Sequence, residues 1–240
     1  MSSIRIGTAG WSVPKQYAID VPQVGTHLAR YSQVFLSAEI NSSFYRSHRL
    51  STWTDWSASV PEGFRFSVKA PKAITHEAKL ACTVDQLKNF LSEAHTLKEK
   101  LGPILFQLPP KSAFDIVIAK AFLIMLRDLY QGPTVFEPRH STWFTAEADH
   151  LLKEFNIARV VADPARIPAA ATAGGWGELI YCRLHGGPRM YYSAYPETYL
   201  QALADTINQQ STKEIWCIFD NTASGAAFGD ALSLKRLLAH

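Results

Sequence analysis

Short apolar or β-branched runs alternate along this chain with longer stretches in which apolar residues recur every three to four positions. Eight runs of the first kind read as strands: Ile4–Gly10, Ala38–Ser43, Phe64–Ala70, Ile104–Leu108, Thr134–Glu137, Ala158–Asp163, Leu179–Leu184 and Ile215–Phe219. The clearest predicted helix follows Thr83, where Leu87, Phe90, Leu91, Ala94, Leu97 and Leu101 fall on one face. Ile118, Ala121, Phe122 and Met125 repeat that spacing, as do Tyr199, Leu200, Leu203 and Ile207, and then Phe228, Ala231, Leu232, Lys235 and Leu238. Weaker patterns predict helices over Thr26–Gln33, Ser51–Ser59 and Thr145–Phe155. Pro164–Gly177 is rich in Pro, Ala and Gly and predicts a crossover with little helix. Such alternation predicts an α/β fold of parallel strands joined by helical crossovers. Eight units in 240 residues match a single TIM-type (β/α)8-like barrel, one domain over residues 1–240. An open doubly wound sheet is the alternative.

Side-chain parity sorts each strand into two faces. Glu39, Asn41 and Ser43 oppose Ile40 and Phe44; Arg65, Ser67 and Lys69 oppose Phe64, Phe66 and Val68. Gln107 opposes Phe106, and Tyr181, Arg183 and His185 oppose Ile180, Cys182 and Leu184. Glu137 and Arg139, Asp163, and Asn221 close the fifth, sixth and eighth strands. If the apolar faces meet the helices, the polar faces line the barrel axis and gather at the C-terminal strand ends, where barrel active sites are built. Burying so many ionisable groups is costly unless they pair or meet a ligand. The expectation is a polar pocket, and its rival is an internal salt-bridge plug.

Composition narrows the picture. Mean hydropathy is −0.05 and no apolar run reaches the ~18 residues of a membrane span. Arg5 lies in a predicted strand with no apolar region of a secretory signal behind it. The three cysteines, Cys82, Cys182 and Cys217, form no C-x-x-C pair, which fits a reducing cytoplasm and neither a disulfide framework nor a structural zinc site. A net charge of +3 is compatible with an anionic ligand, while nucleic-acid binders concentrate more positive charge.

The seventh strand runs into His185-Gly186-Gly187-Pro188-Arg189, and the eighth into Asn221-Thr222-Ala223-Ser224-Gly225 before a helix. Loops in these positions bind phosphate in many barrels, through glycines and helix-start N–H groups. The plainer reading is an N-cap and a turn. Trp11 and Tyr45 are candidates to stack on a substrate. Glu39 and Glu137, on different strands, form a candidate acid–base carboxylate pair, with His185 and His76 as further proton carriers. Glu39, Glu137, Asp163 and His185 could instead gather a divalent metal, though Arg139 and Arg183 compete for the carboxylates. No nucleophile elbow, Walker loop or dinucleotide fingerprint occurs.

Several blocks together carry a resemblance: Gly7-Thr8-Ala9-Gly10-Trp11-Ser12, Glu39-Ile40-Asn41-Ser42-Ser43-Phe44-Tyr45-Arg46, Phe66-Ser67-Val68-Lys69-Ala70-Pro71 and Ile74-Thr75-His76. Further along come Gly102 to Pro110, Glu137-Pro138-Arg139-His140-Ser141-Thr142-Trp143, Tyr181 to Gly186 and Phe219 to Ala227. In this order, across the chain, they resemble the YecE-like family, also called domain of unknown function 72. The resemblance implies a TIM-type barrel and names no chemistry. Pro138 stands where many members carry an aromatic, and Asp220 where many carry Asn, which adds a carboxylate beside Asn221.

The expected function is acid–base catalysis on a small anionic substrate, phosphorylated metabolites included, at the barrel mouth. Glu39, Glu137 and His185 are the expected catalytic residues. Asn41, Lys69, His76, Gln107, Arg139, Asp163, Arg183 and Asn221 are expected to bind substrate, with Arg183, Lys69 and Arg139 holding the anion. No cofactor is expected, with a divalent metal as the alternative. The alternatives are a metal-dependent phosphodiesterase or nuclease acting on nucleic acid, and a non-catalytic binder of a metabolite or protein. No membrane partner is expected, and the oligomeric state is left open.

Overall fold

The computed structural model describes residues 2–239. Its regular elements, in order, are β1 (Ser3–Thr8), α1 (His27–Tyr31), β2 (Ser37–Ile40), α2 (Leu50–Ala58), β3 (Arg65–Lys69), α3 (Val84–His95), β4 (Leu101–Gln107), α4 (Ile116–Leu129), β5 (Thr134–Glu137) and α5 (Ala146–Glu154). There follow β6 (Ile157–Arg159), β7 (Val161–Asp163), β8 (Gly174–Gly175), β9 (Leu179–Leu184), α6 (Glu197–Asn208), β10 (Glu214–Phe219) and α7 (Ala226–Leu237). Every predicted helix forms, though α3 ends at His95, short of Leu97 and Leu101, and Leu101 opens β4; local chemistry sets several starts. Thr83 and Gln86 make a reciprocal capping box for α3, Asp115 accepts from two N–H groups of α4, and Thr145 caps α5.

This is an α/β fold with parallel sheets. One sheet runs β1-β10-β9-β7 and the other β2-β3-β4-β5-β6-β8. All pairings are parallel except that of β8 with β6. The sheets meet at two seams. At one, Ala9 bridges Glu39, and the Gly10 N–H donates to the Glu39 carbonyl at 2.8 Å. At the other, Val160 joins β6 to β7 and donates to the Phe136 carbonyl at 2.8 Å. Gly7 permits the first seam, because a Cβ there would stand 2.1 Å from the Ser37 carbonyl oxygen.

Two apolar clusters lie on opposite faces of the strands. The larger packs Phe66, Val68, Phe106, Phe136, Leu184 and Phe219 against the helices. The smaller holds Leu105, Val135, Ala158, Val160, Leu179, Tyr181, Trp216 and Ile218. The inner faces are therefore apolar along their first part, with Tyr181 and Trp216 stacked at 6.0 Å, and turn polar towards the C-terminal ends. No helix among the described residues is long and apolar enough to cross a membrane.

Three expectations need correction. The second strand stops at Ile40, and Ser42–Phe44 form a 3-10 turn, so Asn41 and Ser43 do not continue its alternation. The Ser43 hydroxyl donates to the carbonyls of Ile40 and Lys69, which bends the chain there. The sixth strand is broken at Val160 rather than continuous. Third, the crossover after β7 has little helix, as expected, but contributes the unpredicted β8.

Candidate functional site at the strand ends

The register of β9 with its neighbours builds the site. Tyr181, Arg183 and His185 point to the inner face in alternation, and each meets a carboxylate from another strand. The Arg183 guanidinium is fully buried. Its Nε and Nη2 donate to the two Glu39 oxygens at 3.1 and 2.7 Å, a bidentate grip. Nη1 donates to Glu137 at 2.8 Å and Nη2 to Asp220 at 2.8 Å. One cation thus ties together the ends of β2, β5 and β10.

Each carboxylate is satisfied further. Glu39 also accepts from the Tyr181 hydroxyl at 2.9 Å, itself 2.6 Å from Ser67 Oγ. Glu137 accepts from Gln107 Nε2 at 2.8 Å and from Arg139 Nε and Nη2 at 3.2 and 3.0 Å. The His185 ring spans the remaining pair, with Nε2 3.3 Å from Glu137 Oε1 and Nδ1 3.1 Å from Asp220 Oδ2.

Charge follows from this geometry. Burial pushes the Glu137 carboxyl up, but the guanidiniums of Arg183 and Arg139 and the His185 bond outweigh it and hold it well below the usual range. Burial opposes Asp220 likewise, and Arg183 and His185 bring it below its ordinary value. For His185, burial pulls down while the bonds to Asp220 and Glu137 win, so the imidazole holds its proton above the ordinary histidine value of 6.5. Lys69 is the exception among the cations: burial and then Arg183 lower it to about 8.

Lys69 is 6% exposed and its ammonium lies 4.2 Å above the Phe44 ring. The His76 ring packs edge-on against the same Phe44 at 4.9 Å, carried by a turn of π-helix over Ala73–Glu77. Turns of this kind cluster at functional sites. His76 Nδ1 is 2.9 Å from Thr75 Oγ1. Burial, then Lys69 and Arg139, pull His76 below 6.5 and favour its neutral form. A cavity of about 20 Å³, enough for one water, touches Glu137, Arg139 and His185, with Pro164, Arg166, Ile167 and Met190 on its other sides.

The structure thus brings together Glu39, Glu137, His185, Gln107, Arg139 and Arg183, with Lys69 and His76 beside them. Arg183, expected to hold an anion, has its donors taken by three protein carboxylates. Glu39, expected as an acid–base group, is wholly buried beneath that guanidinium. Asp163 does not join. It pairs in register with Leu184, next to the pairing of Ala162 with Arg183, so it faces outward and accepts from Tyr195 at 2.8 Å. Asn221 also turns away, its amide donating to Ser193 and Asp230 at 2.9 and 2.7 Å. Asn41 lies on the turn after β2, with its Oδ1 buried and unpartnered. Asp220 is the member of the site absent from the expected set; its signal was parity, two residues on from Ile218.

The loops after β9 and β10 use several of their donors within themselves and on each other. The N–H groups of Ala223, Gly225 and Ala227 bond to Tyr191, Thr222 and Asn221 carbonyls, and that of Gly186 bonds to the Tyr195 hydroxyl. These bonds brace the loops and leave fewer N–H groups for an anion than the sequence implies. Trp11 packs on Trp56 and Phe66, as a wall residue, whereas Tyr45 is exposed. The expected metal set loses Asp163, and among the described residues no group of three or more His, Cys, Asp and Glu side chains has metal-holding geometry.

Comparison with known proteins places this arrangement. A family model described as a protein of unknown function, DUF72, matches residues 5–240. The chain belongs to the DUF72 family. UPF0759 protein YecE of Escherichia coli strain K12 is 30% identical over 106 residues, 44% of this chain, and that match spans only 38% of the relative's own length. UPF0759 protein YunF of Bacillus subtilis strain 168 is 23% identical over 98% of this chain and 94% of its own. A DUF72 structure from Enterococcus faecalis V583 superposes with a TM-score of 0.84 at 21% identity, over 99% of this chain and 96% of that one. The likeness in structure shows that the DUF72 fold is shared.

The paired carboxylates predict an acid limb in the stability of this DUF72 protein. Glu137 and Asp220 are depressed in the fold, so their stabilisation is present above their ordinary values of 4.5 and 3.8 and is lost as pH falls through their folded values. The unfolding free energy from urea titrations at pH 7 to pH 3 should fall below about pH 4.5, by up to about 1.4 kcal/mol per pH unit for each carboxyl. A flat profile to pH 3 would contradict the pairing.

Proposed function

We propose that the strands close into one eight-stranded barrel, a single domain over residues 1–240, and that their C-terminal ends form the active site of an enzyme. The reaction is proton transfer on a small anionic substrate, of which a phosphorylated metabolite is one class. The observation that carries this reading is His185 held between Glu137 and Asp220 beside two cations, Arg139 and Lys69. An apolar packing of the same volume would serve stability as well as a buried ion cluster does. A histidine with a shifted proton affinity in a cluster at strand ends is the usual mark of chemistry.

The charge balance points to the substrate. Glu39, Glu137 and Asp220 are matched by Arg183, Arg139 and the proton held on His185. Lys69, bonded to none of them, then leaves one positive charge in excess, which an anion neutralises. In this scheme His185 donates the proton, and Glu137 and Asp220 orient its ring. Arg139 and Lys69 take the anion, and Arg183 and Gln107 position the carboxylates. Entry of anything larger than water requires the segments carrying Arg166 and Met190 to move aside.

Inorganic phosphate tests the site without knowledge of the substrate. It should raise the unfolding temperature at pH 6 more than at pH 8.5, because Lys69, lowered to about 8, loses most of its charge over that interval. Saturation at a hundred times Kd corresponds to about 2.7 kcal/mol. The effect should be lost in Arg139→Met. No stabilisation at either pH, or an equal effect in the variant, would overturn the reading. Stabilisation by small anions with no chemical change in any of them would favour a binding protein.

A further inference from the structure

Lys69 is the cation the cluster does not use. Arg183 and Arg139 each bond directly to carboxylates, but among the described residues the Lys69 ammonium has no hydrogen bond or ion pair, although its side chain is more than nine-tenths buried. The stem is buried while Nζ keeps some contact with solvent, so the amine is partly desolvated and still reachable. Its position is also defined. It closes β3 at the same end as the carboxylate cluster, and its ammonium and the His76 ring both pack against Phe44.

We propose that Lys69 is a nucleophilic amine that forms an imine with a small anionic carbonyl compound, an aldehyde or oxo acid. The inference rests on the proposed anion site and narrows its substrate class. The neutral amine attacks the carbonyl carbon, a C–N bond forms, and the carbonyl electron pair moves to oxygen. That oxygen takes a proton from His185, while the nitrogen gives one up to neutral His76. His76 returns that proton to the hydroxyl, the C–O bond breaks to release water, and a protonated imine remains near Glu137. No oxidant or further reactant is needed.

The free-amine supply fits this role. With a value of about 8, Lys69 carries a free amine at pH 7 in a fraction over a hundredfold larger than an exposed lysine at 10.5. That advantage is spent on a carbonyl only if the amine is reachable, so the probe must be small.

The test uses glyoxylate, a two-carbon anionic aldehyde, with cyanoborohydride at pH 7, followed by peptide mass spectrometry. The hydride fixes an imine as N-carboxymethyl-lysine. Lys69 should carry the adduct at least about tenfold above the average of the exposed lysines. Lys69→Arg, which keeps the charge, should abolish it while leaving the unfolding temperature within a few degrees. Phosphate should slow the labelling by competing for the site. Labelling that follows surface exposure and spares Lys69 would overturn the inference. If phosphate still stabilises the protein in that case, the anion site stands and only the imine fails. If Lys69 is labelled but phosphate neither stabilises nor competes, the imine stands and the anion reading fails.

Discussion

Arg183→Met is expected to cost about 3–5 kcal/mol, because it leaves buried Glu39 with no bonded cation and takes one from Glu137 and Asp220. That is a large share of the 5–15 kcal/mol that holds a typical domain together. The guanidinium is 0% exposed and makes four bonds to three strand ends. Methionine fills similar volume and satisfies none of them. The response to pH should also change sign. Wild type weakens in acid, whereas the variant should gain stability between pH 7 and pH 5, since protonation relieves the stranded carboxylates. Urea midpoints at the two pH values read both effects. A loss below about 1 kcal/mol at pH 7 would show that the cluster is not held by this residue.

The second large effect is expected at Glu137, whose oxygens accept from Arg183, Gln107, Arg139 and His185. Glu137→Gln keeps the shape and removes the charge. Arg139 then loses its carboxylate, and one side of the His185 grip becomes neutral. The expected cost is about 2–4 kcal/mol, smaller than for Arg183→Met because Glu39 and Asp220 still hold the guanidinium. The more specific consequence is for the imidazole: its titration midpoint should fall towards 6.5 or below, since burial then meets only Asp220 in opposition. Nitrogen NMR of the ring reads this directly. An unmoved midpoint would separate His185 from Glu137. A loss of turnover in any assay, with the fold retained, would agree with the proposed role of His185 as proton donor.

Much of this site is legible in the order of residues, through one rule. Alternation in the seventh predicted strand puts Tyr181, Arg183 and His185 on one face, and the β9 register keeps them there. The same rule, carried along the sixth strand from the inward Ala158 and Val160, puts Asp163 outward with Leu184. Polarity at a strand end is a weaker guide than parity. Applied past Ile218, parity selects Asp220 and not Asn221.

What alternation cannot convey is who partners whom. Arg183 reads as an anion binder because nothing local reveals three carboxylates arriving from strands 37 to 144 residues away. The glycine-rich loops read as a phosphate cradle because their N–H groups look free until the loops are seen to brace each other. The α/β alternation survives because it is set locally, by apolar spacing and by caps such as Thr83 and Asp115. The breaks at Ile40 and Val160 arise from seams between strands distant in the chain, and local spacing carries no trace of them.

The central claim is that the anion site and the proton-carrying group are one place. Site-resolved nitrogen NMR of the His185 imidazole, titrated with and without inorganic phosphate, tests it most directly. An anion bound beside the ring stabilises the imidazolium, so the midpoint, already above 6.5 in the free protein, should rise further with phosphate, and the rise should vanish in Arg139→Met. A midpoint below 6.5, or one that phosphate leaves unmoved while it stabilises the fold, would contradict the account.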